Sequence, residues 1–390
     1  MLRCWHSSAL SANGVDLGQG TGPVNAGLSL KYVPAPLVTR ARLCQPFGVK
    51  AGENRMRMVL AAILALWAGA APASECLGSN LFDTMPTDQR ALIDAAVAGV
   101  PYHQGLLWRA SKGDQSITLV GTYHFGDPRH DPMLARLEPV IADAALVLVE
   151  AGPAEERRLT EALSSDPTLM VDPTGPTLPE RLSERDWQLL SMAMAERGTP
   201  AVVTSKLRPW YVAMMLGISP CMMKQVTETG AQGLDHRLVE RAEALDIPVR
   251  ALEPWDTVFT LFRDLTPDQE IEMIRAALPA AAHADDYAVT VTDAYFAGDI
   301  WAIWEFGRFD AYRTSGLTRD QVDAQMALAQ ERLMDGRNES WIGPLTRGAR
   351  DAARQGKGIV AGFGALHLPG EGGVLRLLER DGWTITRLDG

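Results

Sequence analysis

Two apolar runs in this chain end the same way. Ser116–Val120 (SITLV) leads into Gly121-Thr122-Tyr123-His124, and Gly358–Phe363 (GIVAGF) leads into Gly364-Ala365-Leu366-His367. Short apolar runs bounded by turn residues predict buried strands, and a glycine lets the backbone bend sharply where a strand stops. The stretch LLWRASKGDQSITLVGTYH predicts a β-hairpin turning at Lys112-Gly113-Asp114. DPMLARLEPVIADA has helical spacing, and ALVLVEAG is a further strand that closes on Glu150. Strand, helix, strand over this span predicts a βαβ crossover, with both strands parallel and their carboxyl ends on one edge. His124 and Glu150 are therefore expected as neighbours. IPVRALEP predicts a third buried strand closing on Glu253, and WTITRL a last one.

The remaining pattern is helical. DQRALIDAAVAGV, SERDWQLLSMAMAERG and GLDHRLVERAEALD each carry an apolar face, and the second has Ser183 as its cap and Gly198 at its stop. Thr266-Pro267-Asp268-Gln269 is a capping box with proline at the first helical position. A long helical insertion is expected over about residues 256–345, and Trp301, Trp304, Phe306 and Phe309 within it are read as core. The chain predicts an α/β fold: a central mixed or mostly parallel sheet, surrounding helices and that insertion.

The first 73 residues read differently. Residues 1–55 show no sustained apolar period and are read as an over-called start or a disordered extension. Arg55-Met56-Arg57-Met58, the run VLAAILALWAGAA and the small-residue site Ala71-Pro72-Ala73 make a basic, apolar and cleavable series, expected as a signal peptide over 56–73. Cleavage there leaves a domain of residues 74–390, carrying 30 Lys and Arg against 46 Asp and Glu, a net charge of −16. Such a chain repels nucleic acid and anionic lipid. It is expected to be periplasmic or secreted, with no stable membrane insertion. Cys76 and Cys221 are then the two remaining cysteines, and in an oxidising compartment they are expected to pair.

Parallel strands would gather His124, Glu150, Glu253 and His367 along one rim of the sheet. Open α/β sheets place ligands at that rim. Two imidazoles and one or two carboxylates suit a divalent transition metal with an open position for water, whose pKa such a metal lowers to about 7. Glu150 is a ligand or the general base. Arg129, in the loop HFGDPRH, is placed as a substrate-positioning residue, and Arg337 and Asn338 as outer support. The other chemistries have weaker signals: the chain has no G-x-S-x-G, no P-loop and no H-E-x-x-H.

These residues resemble the TraB/GumN family, which includes the Tiki metalloproteases. The landmarks are LWRASKGDQSITLVGTYHFGDPR, LVLVEAG, KLRPW, GLDHRLVERA, VRALEP, GRNESW and FGALHLPGEGGVLRLLERDGWTITRL. The resemblance implies a fold like that of erythromycin esterases and ChaN-like haem-binding proteins. It also implies divalent-metal-dependent proteolysis by His124, His367 and Glu150, with manganese, cobalt or zinc as the candidate metals. The expected activity is thus an exported metal-dependent hydrolase acting on a peptide or small-molecule substrate. The alternative is a non-catalytic periplasmic protein that binds or sequesters a ligand in the same cleft.

Overall fold

The hairpin forms where the pattern predicts it. Strand β1 (Leu107–Lys112) pairs antiparallel with β2 (Gln115–Thr122), with Lys112 opposite Gln115 across a two-residue turn. Strands β3 (Val147–Val149), β4 (Val249–Ala251), β5 (Ile359–Gly364) and β6 (Thr384–Arg387) complete one six-stranded sheet in the order β4-β3-β5-β2-β1-β6. The four strands from β4 to β2 are parallel, and β1 runs antiparallel to both its neighbours. The fold is α/β with a mixed, mostly parallel sheet. This structure is a computed structural model and describes residues 78–230 and 232–389. The expected signal peptide, the segment before it and Cys76 lie outside the described residues.

Side chains alternate across the sheet as a two-residue period requires. On one face Ile117, Leu119, Ile359, Ala361 and Phe363 pack with Trp341, Leu345 and Ala349 of the helix Gly336–Ala353 and with Leu375 and Leu378 of the helix Val374–Arg380. On the other, Val120, Val147, Val149 and Val360 meet Leu137 and Ile141 of the helix Asp131–Ala142 and Leu234, Leu238 and Ala242 of the helix Leu234–Ala244. Both faces are covered, which is why the central strands read as continuous apolar runs.

Helices fill both long connections. Those between β3 and β4 begin at Pro153 and end at Ala244, and those between β4 and β5 run from Thr257 to Ala353. A second core joins the two sets: Leu190 and Met194 pack with Val212 and Leu216 and with Ile271, Ile274 and Leu278. Ser183 and Thr266 cap their helices as the sequence predicts, accepting from the backbone N–H groups of Asp186 and Gln269. Trp301 and Phe306 are core residues, packed with Ile93 and Val97 of the helix Thr87–Val97. Among the described residues no helix is long and apolar enough to cross a membrane.

The crossover from β2 through Asp131–Ala142 to β3 gives parallel strands, as expected, but β5 lies between them. That insertion decides the geometry of the rim. The end of β5 comes to sit between the ends of β2 and β3.

Candidate active site

Gly364 closes β5 with a strand end on either side. A methyl group on its Cα would lie 3.2 Å from Glu150 Oε1, 3.5 Å from His367 Cδ2 and 3.9 Å from His124 Nε2. Three of the residues expected at the rim therefore converge on one point. Glu150 Oε1 accepts the Gly364 N–H at 2.6 Å, which ties the end of β3 to the end of β5.

His124 is positioned by a helix start. Gly233 lies directly on the strand end, leaving a Cβ only 2.2 Å from the Tyr123 carbonyl oxygen, and the Leu234 N–H donates to that oxygen at 2.9 Å. Two residues on, Asp235 Oδ2 meets His124 Nδ1 at 3.1 Å. This bond leaves Nε2 of the ring facing the Gly364 side. The Asp235 hydrogen bond lifts the His124 pKa to about 9, burial working against it and the Asp235 and Glu150 charges adding to it. The side chain is 59% exposed, so water in the cleft screens the pair.

His367 is held in the opposite state. It is 6% exposed, against Trp341 at 4.5 Å between ring centroids. The Asn338 amide NH₂ donates to the Gly372 carbonyl at 2.9 Å, which turns Oδ1 of Asn338 towards His367 Nδ1 at 2.7 Å. The acceptor at Nδ1 makes that nitrogen the protonated one, leaving the lone pair on Nε2. Burial brings the His367 pKa down to about 4; the charges of Arg337 and His124 push the same way, and Glu150 opposes them. The ring is neutral at pH 7.

Arg337 stands at the centre of the cluster. Its Nε donates to Glu253 Oε1 at 2.6 Å and its Nη2 to Glu253 Oε2 at 3.0 Å, a two-point clamp. Nη2 also donates to Glu150 Oε2 at 2.7 Å, while Nη1 reaches the Leu333 carbonyl at 2.9 Å and His367 Nε2 at 3.2 Å. The Trp341 indole N–H donates to Glu253 Oε1 at 3.0 Å. A π-helical stretch, Glu331–Asp335, precedes the helix that carries Arg337, Asn338 and Trp341. Such stretches shift the helical register and so set which side chains face a site. Burial raises the Glu150 pKa, but the His367, Arg337 and His124 groups and the Gly364 N–H outweigh it and hold that carboxyl at about 2.

The residues expected to ligate metal are engaged by other partners. Glu253 has its oxygens turned to Arg337 and Trp341, His367 Nε2 faces Arg337 Nη1, and Glu150 is engaged by Gly364 and Arg337. Among the described residues His124 Nε2 has no side-chain partner, and it lies 3.9 Å from where a Cβ on Gly364 would sit. Among the described residues no group of three or more His, Cys, Asp or Glu side chains is placed to hold a metal ion. In this arrangement the residues do not fit a metal, because a guanidinium already supplies the positive charge between the carboxylates.

Arg129 is not brought to the cleft. It pairs with Asp127 at 2.8 Å and Asp293 at 2.8 Å and lies over the Phe296 ring at 4.2 Å. Its neighbour His130 is buried beside Tyr295 and Phe296. The loop HFGDPRH thus turns into the helix Asp131–Ala142 instead of crossing the site. Asp235 is the residue that pattern reading missed; its signal was an acid in the first turn of the amphipathic helix GLDHRLVERA. Arg337, expected as outer support, is the hub.

The cleft holding His124 has a volume of about 130 Å³ and is also lined by Thr122, Glu150, Glu156, Asp235 and His236.

The chain is 24% identical over 285 residues to the uncharacterized protein YbaP of Escherichia coli (strain K12), a match covering 73% of this chain and 96% of that protein. It shows the same identity and coverage to YbaP of Shigella flexneri. No solved structure matches the chain. The TraB/PrgY/gumN family model matches residues 106–387, a stretch that starts at β1 and ends with β6 and contains the whole cluster, and the chain belongs to that family.

Proposed function

We propose that this chain is an exported hydrolase that cleaves a peptide or a similar acyl bond at the ends of β2, β3 and β5. The observation that carries this is the meeting of His124 and Glu150 at Gly364 in one cleft, where Asp235 raises the His124 pKa and the neighbouring cations lower that of Glu150. Groups whose surroundings drive their pKa values apart are suited to the acid and base halves of one reaction. His124, oriented by Asp235, donates a proton from Nε2 to the leaving group. Glu150 accepts the proton of the attacking water; at a pKa of about 2 it is a weak base, so the reaction leans on activation by His124. Arg337, Asn338 and His367 hold Glu150 and one another in register.

The metal-dependent form of the reaction would use His124, His367 and Glu150 as ligands, with Glu253 as a fourth. It requires Arg337 to withdraw from Glu150, Glu253 and His367. A single experiment separates the readings. The purified protein is assayed on a fluorogenic peptide library, with and without chelator and with manganese, cobalt or zinc supplied. Proton transfer alone predicts chelator-resistant turnover that falls about 100-fold or more in His124→Asn and in Glu150→Gln. Chelator-sensitive turnover with bound metal would support the metal form. No hydrolysis under any condition would sink the enzyme reading and leave a binding protein.

A further inference from the structure

A second cavity lies at the amino ends of the parallel strands. It sits between the starts of β2 and β5 and the end of the helix Asp131–Ala142, with a volume of about 360 Å³. Pockets that enclose a small molecule start at roughly 300 Å³. Ser116 lines this cavity and Thr122 lines the cleft of His124, so the length of β2, about 20 Å at the usual strand rise, separates the two.

One wall is a sheet surface that turns polar. Arg109 of β1 stands directly opposite Thr118 of β2, so the two side chains share a face, and Ser116 lies two residues along on that face. Leu107 and Val120, on the same face, are core residues with Leu137 and Ile141. Arg109, Ser116 and Thr118 all line the cavity. The other wall is the helix end, with Pro139, Val140 and Ala144 and, at the cap position, Asp143. Arg109 is the single Lys or Arg among the lining residues and Asp143 the single acid. Both are exposed, and among the described residues neither side chain forms a hydrogen bond or an ion pair, with the other or with any third group. Two opposite charges thus line one cavity without partners.

A zwitterion answers both charges, whereas a ligand of one sign leaves the other charge unmatched. A carboxylate fits the forked donors of an arginine. An ammonium fits Asp143, and the negative end of the helix macrodipole favours it at the same place. We propose that this cavity binds a free apolar α-amino acid. Its carboxylate lies on Arg109 beside the Ser116 and Thr118 hydroxyls, its ammonium on Asp143, and its side chain against Pro139, Val140 and Ala144. The site goes beyond the hydrolase reading and stands whether or not the strand-end cleft is catalytic.

The test is a binding measurement on the purified protein. Isothermal titration calorimetry at pH 7 compares leucine, leucinamide and N-acetyl-leucine. Leucine is expected to bind about tenfold or more tightly than either blocked form. Arg109→Gln should bring leucine and leucinamide to within about threefold of each other, and Asp143→Asn should do the same for leucine and N-acetyl-leucine. Both positions are exposed, so each variant is expected to keep the wild-type melting temperature. Equal or tighter binding of either blocked form to the unaltered protein would overturn the proposal, as would preferences left unchanged in both variants. Leucine binding that is lost in His124→Asn and kept in Arg109→Gln would place the amino acid in the strand-end cleft, which also overturns it.

Discussion

Arg337 Nη2 lies 2.7 Å from Glu150 Oε2, and the same guanidinium grips both oxygens of Glu253. One side chain thus binds together the ends of two parallel strands and a helix. It does so with a charge that the sequence pattern had assigned to a metal.

Replacing Arg337 should expose that role. Arg337→Ala leaves two carboxylates facing each other without a counter-charge, and is expected to destabilise the fold by about 3 kcal/mol or more. It should also bind zinc or manganese at least about tenfold more tightly than the wild-type protein, because Glu150, Glu253 and His367 Nε2 lose the donors that occupy them. Denaturant melts and metal analysis after gel filtration read the two effects. Equal metal affinity in both proteins would show that the guanidinium does not hold the cation position.

Stability should vary with pH on both sides of neutrality, for different reasons. The folded pKa of His124, about 9, lies above its ordinary 6.5, so its contribution is complete below pH 6.5 and is lost as pH rises through 9. The exposure of the ring keeps that loss small. Glu150 sits at about 2, below its ordinary 4.5; its contribution is complete above pH 4.5 and disappears as pH falls towards 2. His367 at about 4 is buried neutral, so stability also declines as pH drops from 6.5 through 4. Melting temperature against pH should show a deep acidic limb and a shallow alkaline one. Asp235→Asn should flatten the alkaline limb, and a limb unchanged by it would remove Asp235 as the cause.

We propose that Cys76 and Cys221 pair, a reading that the surroundings of Ser79 and Cys221 support. The Ser79 N–H donates to Asp286 Oδ1 at 2.7 Å, and the Cys221 N–H points at Asp285 Oδ1 at 3.4 Å. Adjacent acids on one helix thus receive the chain just after Cys76 and the helix Pro220–Thr229 that carries Cys221. The bridge should contribute about 2–4 kcal/mol. Thiol titration of unfolded, non-reduced protein from an oxidising compartment should find none free; two free thiols would rule the bridge out.

Export is checked at the amino terminus. We propose that protein recovered from the periplasm or medium of the native host begins at or near Ser74, because Ala71-Pro72-Ala73 reads as a small-residue cleavage pattern after an apolar run. Intact mass is the measurement, and retention of residues before Met56 would contradict the reading.

Much of this protein is written locally. The hairpin at Gly113, the caps at Ser183 and Thr266 and the strand ends at His124, Glu150, Glu253 and His367 all follow from periods of 2 and 3.6 and from turn chemistry, which act over a few residues. The tertiary structure decided which of those ends meet. Inserting β5 between β2 and β3 brought Gly364 to the meeting point of His124, Glu150 and His367, and no local pattern encodes the order of strands in a sheet. Asp235 reaches His124 across 111 positions and Arg337 reaches Glu150 across 187, through helix packing on the sheet. Whether a strand-end acid is a metal ligand, a base or the partner of an arginine depends on what a distant helix lays against it. Periodicity shows that the helix exists, and only its packing, fixed by complementary side-chain volumes on the two surfaces, shows which residue it delivers.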